Sequence, residues 1–136
     1  IWITHDIGVV AGIDNREMVM YGGTIVENAL VDELYKNPQH PYTIGLLNAI
    51  PRIDELDEAE EEVLASIDGS PPDLLRELVG CPFAPRCDYV FDLCRQEVPP
   101  LITVEEGHQA ACFYDMMNDR PREDLFVQDA QLMGRQ

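Results

Sequence analysis

Four cysteines in the second half of the chain are the residues with the clearest capacity for chemistry. Their spacing is C-x5-C-x6-C-x17-C, and they are Cys81, Cys87, Cys94 and Cys112. Four thiolates complete the ligand set of a structural zinc ion or of an iron–sulfur cluster. Structural zinc sites usually draw ligands from pairs with about two to four residues between them, and no pair here is that close. The looser spacing favours an iron–sulfur cluster over zinc, and unliganded structural thiols are the alternative.

The residues around the cysteines carry weaker signals. The segment from Cys81 to Cys87 is called the first cysteine loop. Pro82 and Pro85 stiffen this loop, as suits a loop wrapped around a bound group. Disulfides are disfavoured if the chain is intracellular, because thiols are kept reduced there. His108 stands four residues before Cys112 and could replace one thiolate. Because four cysteines are already present, we instead expect His108 at the protein surface.

His5 is the other candidate for chemistry, since it directly follows an apolar run. Ile1-Trp2-Ile3-Thr4 is predicted as a strand buried on both faces of a parallel sheet. Ligands of open α/β sheets bind just beyond the carboxyl ends of strands, which is where His5 stands. A neutral imidazole there can donate a hydrogen bond to a phosphate oxygen and so sense a terminal phosphate. A purely structural histidine is the alternative, and His40, before Pro41, is interpreted as a turn residue.

Local patterns predict two strands and three helices between these candidates. The strands are Arg16 to Tyr21 and Thr24 to Glu27, joined at Gly22-Gly23, because a two-residue hairpin turn needs φ > 0 and so selects glycine. The predicted helices are short: 7–13, 31–35 and 41–50. Pro38 ends the second helix because the residue before a proline is pushed out of the α region. Pro41 begins the third, since proline suits a first helical turn.

Composition excludes some classes of partner. The chain has 136 residues and a net charge of −17, from 26 acidic and 9 basic residues. A duplex binder needs Lys and Arg to displace counterions from phosphates, so no nucleic acid is expected as a partner. No stretch approaches the roughly 20 consecutive apolar residues that span a bilayer, so membrane contact is expected through a partner. The chain starts without Met or a basic leader, and we interpret its first residues as the interior of a longer protein.

Composition shifts after residue 51, which suggests a boundary there. Residues 54–62 are dense in Asp and Glu, and a solvated helix and a loop fit this acidic stretch equally well. We therefore predict a first region at 1–51 and a small irregular cysteine-rich region at 52–114. A polar tail at 115–136 is expected to be disordered.

The sequence contains no complete nucleotide site. No G-x-x-x-x-G-K-[ST] phosphate loop occurs, and no apolar run ends in an acidic pair that could hold magnesium and activate water. We therefore expect these 136 residues to be unable to hydrolyse ATP by themselves.

Several motifs together resemble a known family. Residues 1–11 and 18–27, IWITHDIGVVA and MVMYGGTIVE, are similar to the end of the ATPase domain of ABC transporters, from the switch-histidine strand through the following hairpin. NPQHPYT at 37–43, GSPPDL at 69–74 and CPFAPRC at 81–87 follow in order. They resemble the C-terminal extension of the ATP-binding subunits that power dipeptide, oligopeptide and nickel import. The resemblance covers about residues 1–114, and the acidic stretch and the tail fall outside it.

The resemblance implies an α/β fold: the C-terminal remnant of a P-loop ABC ATPase domain, at 1–51, followed by a small irregular Cys-rich extension. His5 matches the switch histidine, which in such ATPases contacts the γ-phosphate of ATP, bound with Mg²⁺, and positions the attacking water. The four cysteines match those of the extension, which in some members hold a [4Fe–4S] cluster with a structural role. The phosphate loop, the signature sequence and the catalytic glutamate would lie upstream of Ile1.

The resemblance also implies a function and partners. Such a subunit couples ATP hydrolysis to the import of peptides, or less commonly nickel, as a peripheral protein on the cytoplasmic face of the cell membrane. It pairs with a second ATP-binding subunit, identical or related, binds transmembrane permease subunits, and acts indirectly with a substrate-binding protein. The alternative is a free-standing cysteine-ligated module that binds an iron–sulfur cluster or zinc and contacts a partner.

Overall fold

The structure, a computed structural model, describes residues 1–10, 12, 15–50, 66–75 and 77–122. The acidic stretch at 54–62 lies outside these residues. The described helices and strands are short, and loops carry the cysteines between them. The elements are α1 (Ile7–Val10), β1 (Arg16–Tyr21), β2 (Thr24–Leu30), α2 (Val31–Lys36), α3 (Pro41–Asn48), a 3-10 turn (Ala84–Arg86), α4 (Asp92–Gln96), β3 (Ile102–Glu105), β4 (His108–Ala110), β5 (Tyr114–Asp115) and β6 (Arg120–Pro121).

The hairpin of β1 and β2 forms where the sequence predicts it. Gly22 and Gly23 have φ of 57° and 79°, the pair of positive values that a tight hairpin turn of this kind requires. Glycine at the first position also makes room, because a Cβ on Gly22 would lie 2.8 Å from Cβ of Pro82. The first cysteine loop can therefore pack directly on the hairpin turn. β2 runs to Leu30, three residues beyond its predicted end.

A four-stranded antiparallel sheet joins the two halves of the described chain. Its strand order is β1-β2-β4-β3. Glu27 of β2 pairs with Ala110 of β4, and Asn28 pairs with Gln109. Ala110 pairs in turn with Ile102 of β3. The sheet therefore joins residues on both sides of the boundary predicted at residue 51.

The two predicted helices after the hairpin are confirmed. α2 spans Val31–Lys36, and its buried side chains are Val31 and Leu34. α3 spans Pro41–Asn48 with proline in its first turn. The first predicted helix, at 7–13, is described only for Ile7–Val10. Of the predicted residues 11–13, the structure describes only Gly12, which lies in a turn.

The core of the described chain lies between the hairpin, α2, α3 and the first cysteine loop. Aromatic rings from these elements pack on one another: the Tyr21 and Tyr42 rings are tilted with centroids 4.6 Å apart, and Tyr21 and Phe83 meet edge to face with centroids 5.2 Å apart. Aromatic contacts of this geometry add to the stabilisation that burial provides. A second small cluster joins Cys94 and Phe113. The larger buried cluster comprises Val19, Tyr21, Val26, Ala29, Leu34 and Phe83.

The first four residues do not form the buried strand that their sequence predicts. Ile1, Trp2 and Ile3 are exposed, Trp2 to 63% of its surface, and they have no strand assignment. A parallel strand is buried on both faces only when neighbouring strands and covering helices are present. None of the described residues supplies such a neighbour here, so the prediction of a buried strand is wrong for this chain as described.

The beginning of the predicted tail is ordered. Asp115 and Tyr114 in β5 pair with Arg120 and Pro121 in β6, and Asn118 caps the intervening turn by hydrogen bonds to the Asp115 carboxylate. The expectation of disorder from residue 115 is therefore wrong for residues 115–122. The rest of the tail lies outside the described residues.

The described chain mixes short helices with small antiparallel sheets. This agrees with an α/β composition, whereas the sheet pairs that are described are antiparallel. Among the residues that can be examined, no helix combines the length and apolar character needed to cross a bilayer.

Candidate functional site

The four cysteines surround one cavity. Cys81, Cys87, Cys94 and Cys112 all line it, and all four are free thiols. Cys94 and Cys112 are buried, whereas the other two are half-buried. Residues that are 31 positions apart in the chain, Cys81 and Cys112, thus line the same cavity. The cavity measures about 10 Å³, close to the smallest space that holds one water molecule.

Local backbone structure places the first three cysteines. A Cβ on Gly80, whose φ is 78°, would lie 2.6 Å from the Cys94 carbonyl oxygen, so only glycine allows the first loop to approach α4 this closely. Because the two segments lie this close, the backbone N–H of Cys81 donates a hydrogen bond to the Cys94 carbonyl at 2.7 Å. The 3-10 turn Ala84–Arg86 then returns the chain to Cys87.

Arg86 ties the cysteine loop to the segment before it. Its Nε donates to the carbonyl of Asp68 and its Nη2 to the carbonyl of Ile67, each at 2.8 Å. Its Nη1 also reaches the hydroxyl of Tyr21 at 3.3 Å. A guanidinium can hold several acceptors at fixed angles, so one side chain joins three parts of the chain.

Burial favours the protonated form of Cys81, Cys87 and Cys112 in the absence of a bound group. It raises the pKa of Cys87 to about 11 and the pKa of Cys112 to about 12, and it also raises the pKa of Cys81. Backbone N–H groups act in the opposite sense by favouring the thiolate. The N–H of Tyr114, for example, donates to Sγ of Cys112 at 3.4 Å. Donors of this kind stabilise negative charge on sulfur, as a metal-bound thiolate requires.

The described residues do not form a metal-binding group as they stand. Within the described ranges, no three His, Cys, Asp or Glu side chains are arranged to hold one metal ion. A zinc ion would need all four sulfurs at about 2.3 Å from one point. In a [4Fe–4S] cluster each thiolate would bind a different iron, so the sulfurs would stand further apart around a shared centre. The described residues place four free thiols around one small cavity, and a backbone N–H donates to the sulfur of Cys112.

His40 lines the same cavity as the cysteines. Its side chain is 1% exposed, and burial lowers the pKa of its imidazole to about 4, so the ring is neutral. The ring also caps α3, because Nδ1 accepts a hydrogen bond from the backbone N–H of Tyr42 at 3.1 Å. Its interpretation as a turn residue was therefore incomplete. His40 joins a helix start to the cysteine site.

A buried carboxylate on β2 organises the loop that carries His40. Glu27 is fully buried and accepts hydrogen bonds from the backbone N–H of Gln39 at 2.6 Å and of His40 at 3.0 Å. Its Oε1 also lies 2.7 Å from Nε2 of His108. The carboxylate thus satisfies three donors from two distant segments, which offsets the cost of burying it.

His108 is buried, which corrects its prediction as a surface residue. Only 1% of its side chain is exposed, on a strand in the middle of the sheet. The physical reason is its hydrogen bond with Glu27, because a polar ring can be buried when a carboxylate opposite it accepts a hydrogen bond from the ring N–H. His108 is not among the residues that line the cysteine cavity.

His5 stands apart from the cysteine site. It is exposed and lies just before α1, in a segment where the Asp6 N–H donates to Oγ1 of Thr4 and the Gly8 N–H donates to the Asp6 carboxylate. It does not line the cysteine cavity. The structure therefore brings the four predicted cysteines together and leaves the fifth predicted residue separate.

Two residues of the site were missed from the sequence. His40 sits in the NPQHPYT motif, so its motif context could have drawn attention to it. Glu27 carried no such signal, because in the sequence it is simply a charged residue at the predicted end of a strand. Its role depends on partners that lie 12 and 81 positions away in the chain.

Comparison with known proteins gives consistent matches. The family model for the oligopeptide/dipeptide transporter C-terminal region matches residues 26–94. The chain is 45% identical over 125 residues to the oligopeptide transport ATP-binding protein OppD of Mycobacterium tuberculosis, covering 91% of this chain and 20% of the relative. It is 47% identical over 113 residues to OppD of Escherichia coli, covering 83% of this chain and 32% of the relative. The corresponding match in Salmonella typhimurium is 46% over 113 residues, with the same coverage.

The matched segment is a minor part of each relative. The chain spans between a fifth and a third of the length of these curated proteins. The family match covers most of strand β2, the segment His40-Pro41-Tyr42 and three of the four cysteines. Residues of β2, Tyr42 and the first cysteine loop pack in one hydrophobic cluster. The chain therefore belongs to the family of oligopeptide/dipeptide transporter C-terminal regions.

Proposed function

We propose that this chain forms the C-terminal region of an ATP-binding subunit that powers peptide import through an ABC transporter. The observation that carries the proposal is the identity of 45 to 47% with proteins named as oligopeptide transport ATP-binding proteins, over most of this chain. Peptides are the proposed substrates, with nickel as the less common option. The comparisons do not favour a free-standing cysteine module, because the matches are to segments of longer ATP-binding proteins.

His5 is the proposed catalytic contribution of this chain. We assign it the switch-histidine role, in which the imidazole binds the γ-phosphate of ATP and orients the attacking water. Its exposure supports the role, since the side chain is open to a phosphate brought by another part of the protein. The 136 residues contain no phosphate loop, so binding of ATP with Mg²⁺ is proposed for the full-length protein only.

The four cysteines are proposed to hold a [4Fe–4S] cluster, with zinc less suited. Support comes from the shared cavity, the free thiols and the backbone donors to sulfur. When bound, the cluster would supply a covalent cross-link between the first cysteine loop, α4 and the segment after β4. The residues themselves position the ligands: Gly80 allows the loops to meet, and Arg86 holds the first loop against the hairpin.

The proposed partners follow from the relatives. We propose a second ATP-binding subunit, transmembrane permease subunits and, indirectly, a substrate-binding protein, with the protein peripheral on the cytoplasmic face of the membrane. We also propose that residues 1–51 belong to the ATPase domain and 52–114 to its extension. The shared sheet would then connect the extension to the ATPase hairpin through β2 and β4.

The activity is tested on the full-length gene product assembled with its permease. We expect ATP hydrolysis that rises when the assembled transporter receives its binding protein loaded with peptide. Absence of ATP hydrolysis in a folded, assembled complex would contradict the proposed function. Stimulation by loaded nickel-binding protein, and not by peptide, would contradict the choice of substrate.

The cofactor is tested separately by anaerobic purification. We expect a brown protein with iron and acid-labile sulfide in equal amounts and little zinc. A colourless protein with neither iron nor zinc would remove the cluster from the proposal and leave the transport function standing. One equivalent of zinc without iron would replace the cluster by a single ion.

A further inference from the structure

The cavity among the four cysteines has no room for a cluster in the described arrangement. It measures about 10 Å³, close to the smallest space that holds one water molecule. All four residues around it carry free thiols. The reactions open to the site in this arrangement are therefore those of the thiols themselves, and the simplest is formation of a bond between two sulfurs.

Cys81 and Cys94 are held together through their backbones. The N–H of Cys81 donates to the Cys94 carbonyl, with 2.7 Å between nitrogen and oxygen. With standard bond lengths and a planar carbonyl, that contact places the two Cα atoms at most about 6.6 Å apart. Disulfides bridge Cα atoms that are about 4.4 to 6.8 Å apart. A disulfide between these two residues therefore fits the separation of their backbones.

The side chains of the same two residues share one hydrophobic cluster. Cys94 is buried there with Ala84 and Phe113, and Cys81 packs against the cluster. Both cysteines also line the small cavity. Cys81 is half-buried, whereas Cys94 is buried, so an oxidant from solvent reaches the sulfur of Cys81 first.

The other two cysteines have different surroundings. Among the described residues, Cys87 packs on the larger core cluster and not on the one that contains Cys94. Cys112 belongs to neither cluster, and its sulfur accepts a hydrogen bond from the backbone N–H of Tyr114 at 3.4 Å. Cys81 and Cys94 are thus the two cysteines that share both a backbone hydrogen bond and a hydrophobic cluster.

We propose that Cys81 and Cys94 form a reversible disulfide when the site holds no metal or cluster, with a peroxide as the oxidant. The sulfur of Cys81 attacks one peroxide oxygen, the O–O bond breaks, and a sulfenic acid and one water form. The sulfur of Cys94 then attacks that of Cys81, the S–O bond breaks, and a second water leaves. One hydrogen peroxide thus takes two electrons and two protons from the thiols and becomes two waters.

The disulfide changes what the site can bind. It uses two of the four thiols and ties the first cysteine loop covalently to α4. Oxidation therefore closes the site to any group that needs four thiolates, and reduction by a dithiol reopens it. Reversible disulfides of this kind are the redox-sensing type found where thiols are otherwise kept reduced. Only the thiols take part, so the disulfide does not depend on the cluster proposed above.

The test treats the full-length protein, freed of metal by a chelator, with hydrogen peroxide. Remaining thiols are blocked with iodoacetamide in denaturant, and the unreduced protein is digested with trypsin. Cleavage after arginine leaves Cys81 in peptide 77–86, Cys87 and Cys94 together in peptide 87–95, and Cys112 in peptide 96–122. Mass spectrometry then identifies the linked peptides and locates the bond by fragmentation.

The expected product joins peptides 77–86 and 87–95 and is two hydrogens lighter than their sum. Fragmentation should place the bond at Cys94 and the blocking group on Cys87, and peptide 96–122 should be fully blocked. Dithiothreitol should restore both thiols. A bond from Cys81 to Cys87 or Cys112 would overturn the proposal, as would oxidation of Cys81 to a sulfinic acid without any bond.

Two variants check the assignment of the bond. Cys87→Ser should keep the link between the two peptides, whereas Cys94→Ser should lose it. Persistence of the link in the Cys94 variant would overturn the pairing. If either variant does not fold, the fragmentation pattern of the wild-type protein decides. A protein purified without iron would remove the cluster proposal and leave the disulfide standing, because the bond is measured on metal-free protein.

Discussion

His5 and the four cysteines differ in how much of their surroundings this chain provides. The first six residues are all exposed, so the imidazole of His5 is open to solvent and has no fixed partner among the residues that the structure describes. The cysteines lie among buried side chains from a loop, α4 and the segment after β4. Chemistry on a phosphate needs oriented groups in a site that excludes water. His5 therefore depends on whatever packs against it, whereas the cysteine site is assembled by the described residues themselves.

This difference implies that the two sites respond to different changes. Variants at His5 should alter the rate of ATP hydrolysis and leave the fold intact. Variants around the cysteines should alter cofactor content and local stability.

The largest effect is expected for Cys112→Ser in the full-length protein. Cys112 is buried and comes from a separate part of the chain, so no neighbouring thiol can replace it. Iron and sulfide should fall to near zero, because a four-thiolate cluster needs every ligand and serine oxygen is a harder donor. Elemental analysis and the visible spectrum measure this. Unchanged iron content would show that Cys112 is not a ligand.

Removal of the buried carboxylate should destabilise the cysteine region strongly. Glu27→Ala leaves the N–H groups of Gln39 and His40 and the ring of His108 without their acceptor. Leaving a buried donor without its acceptor typically costs about 1 to 3 kcal/mol, and several donors lose their acceptor here. Native-state hydrogen exchange of the β2 and β4 amides should show this loss.

The matched control for that variant is a surface glutamate. Glu33 is exposed on α2, so Glu33→Ala should change the same exchange free energies by less than about 0.5 kcal/mol. Equal protection in the Glu27 and Glu33 variants would contradict the importance of the buried network.

His5→Ala should lower ATP hydrolysis without changing stability or iron content. Loss of one group that stabilises transition-state charge costs about 100-fold or more in rate, or about 2.7 kcal/mol. Because His5 is exposed, thermal unfolding should match the wild type. The full-length protein, assembled with its permease, is assayed for phosphate release. Hydrolysis at the wild-type rate would rule out the switch role.

The smallest effect is expected at the contact that holds the first cysteine loop. Arg86→Lys keeps the charge but loses the planar fork that reaches the carbonyls of Ile67 and Asp68. We expect a loss of about 1 to 2 kcal/mol in local stability. Limited proteolysis between residues 66 and 75 should become faster. Arg95→Lys, an exposed arginine on α4, is the control and should cleave at the wild-type rate.

The elements that the sequence predicted correctly depend on local chemistry. Two glycines with positive φ specify the turn between β1 and β2, and proline begins α3. These features need only neighbouring residues, so patterns in the sequence reveal them. The failures involve distant partners. The strand at Ile1 requires sheet neighbours, and the burial of His108 requires Glu27, which is 81 residues away.

The sequence by itself determined which residues carry chemistry, and the tertiary structure decided how they are arranged. The identity and spacing of the four cysteines and the order of the motifs were sufficient to indicate a thiolate site and the family. Only the folded chain showed that His40 lines that site, that Glu27 orients His40, and that one sheet joins β2 to β4. The physical reason is that burial and hydrogen bonding act between groups close in space, whereas a sequence pattern records only closeness along the chain.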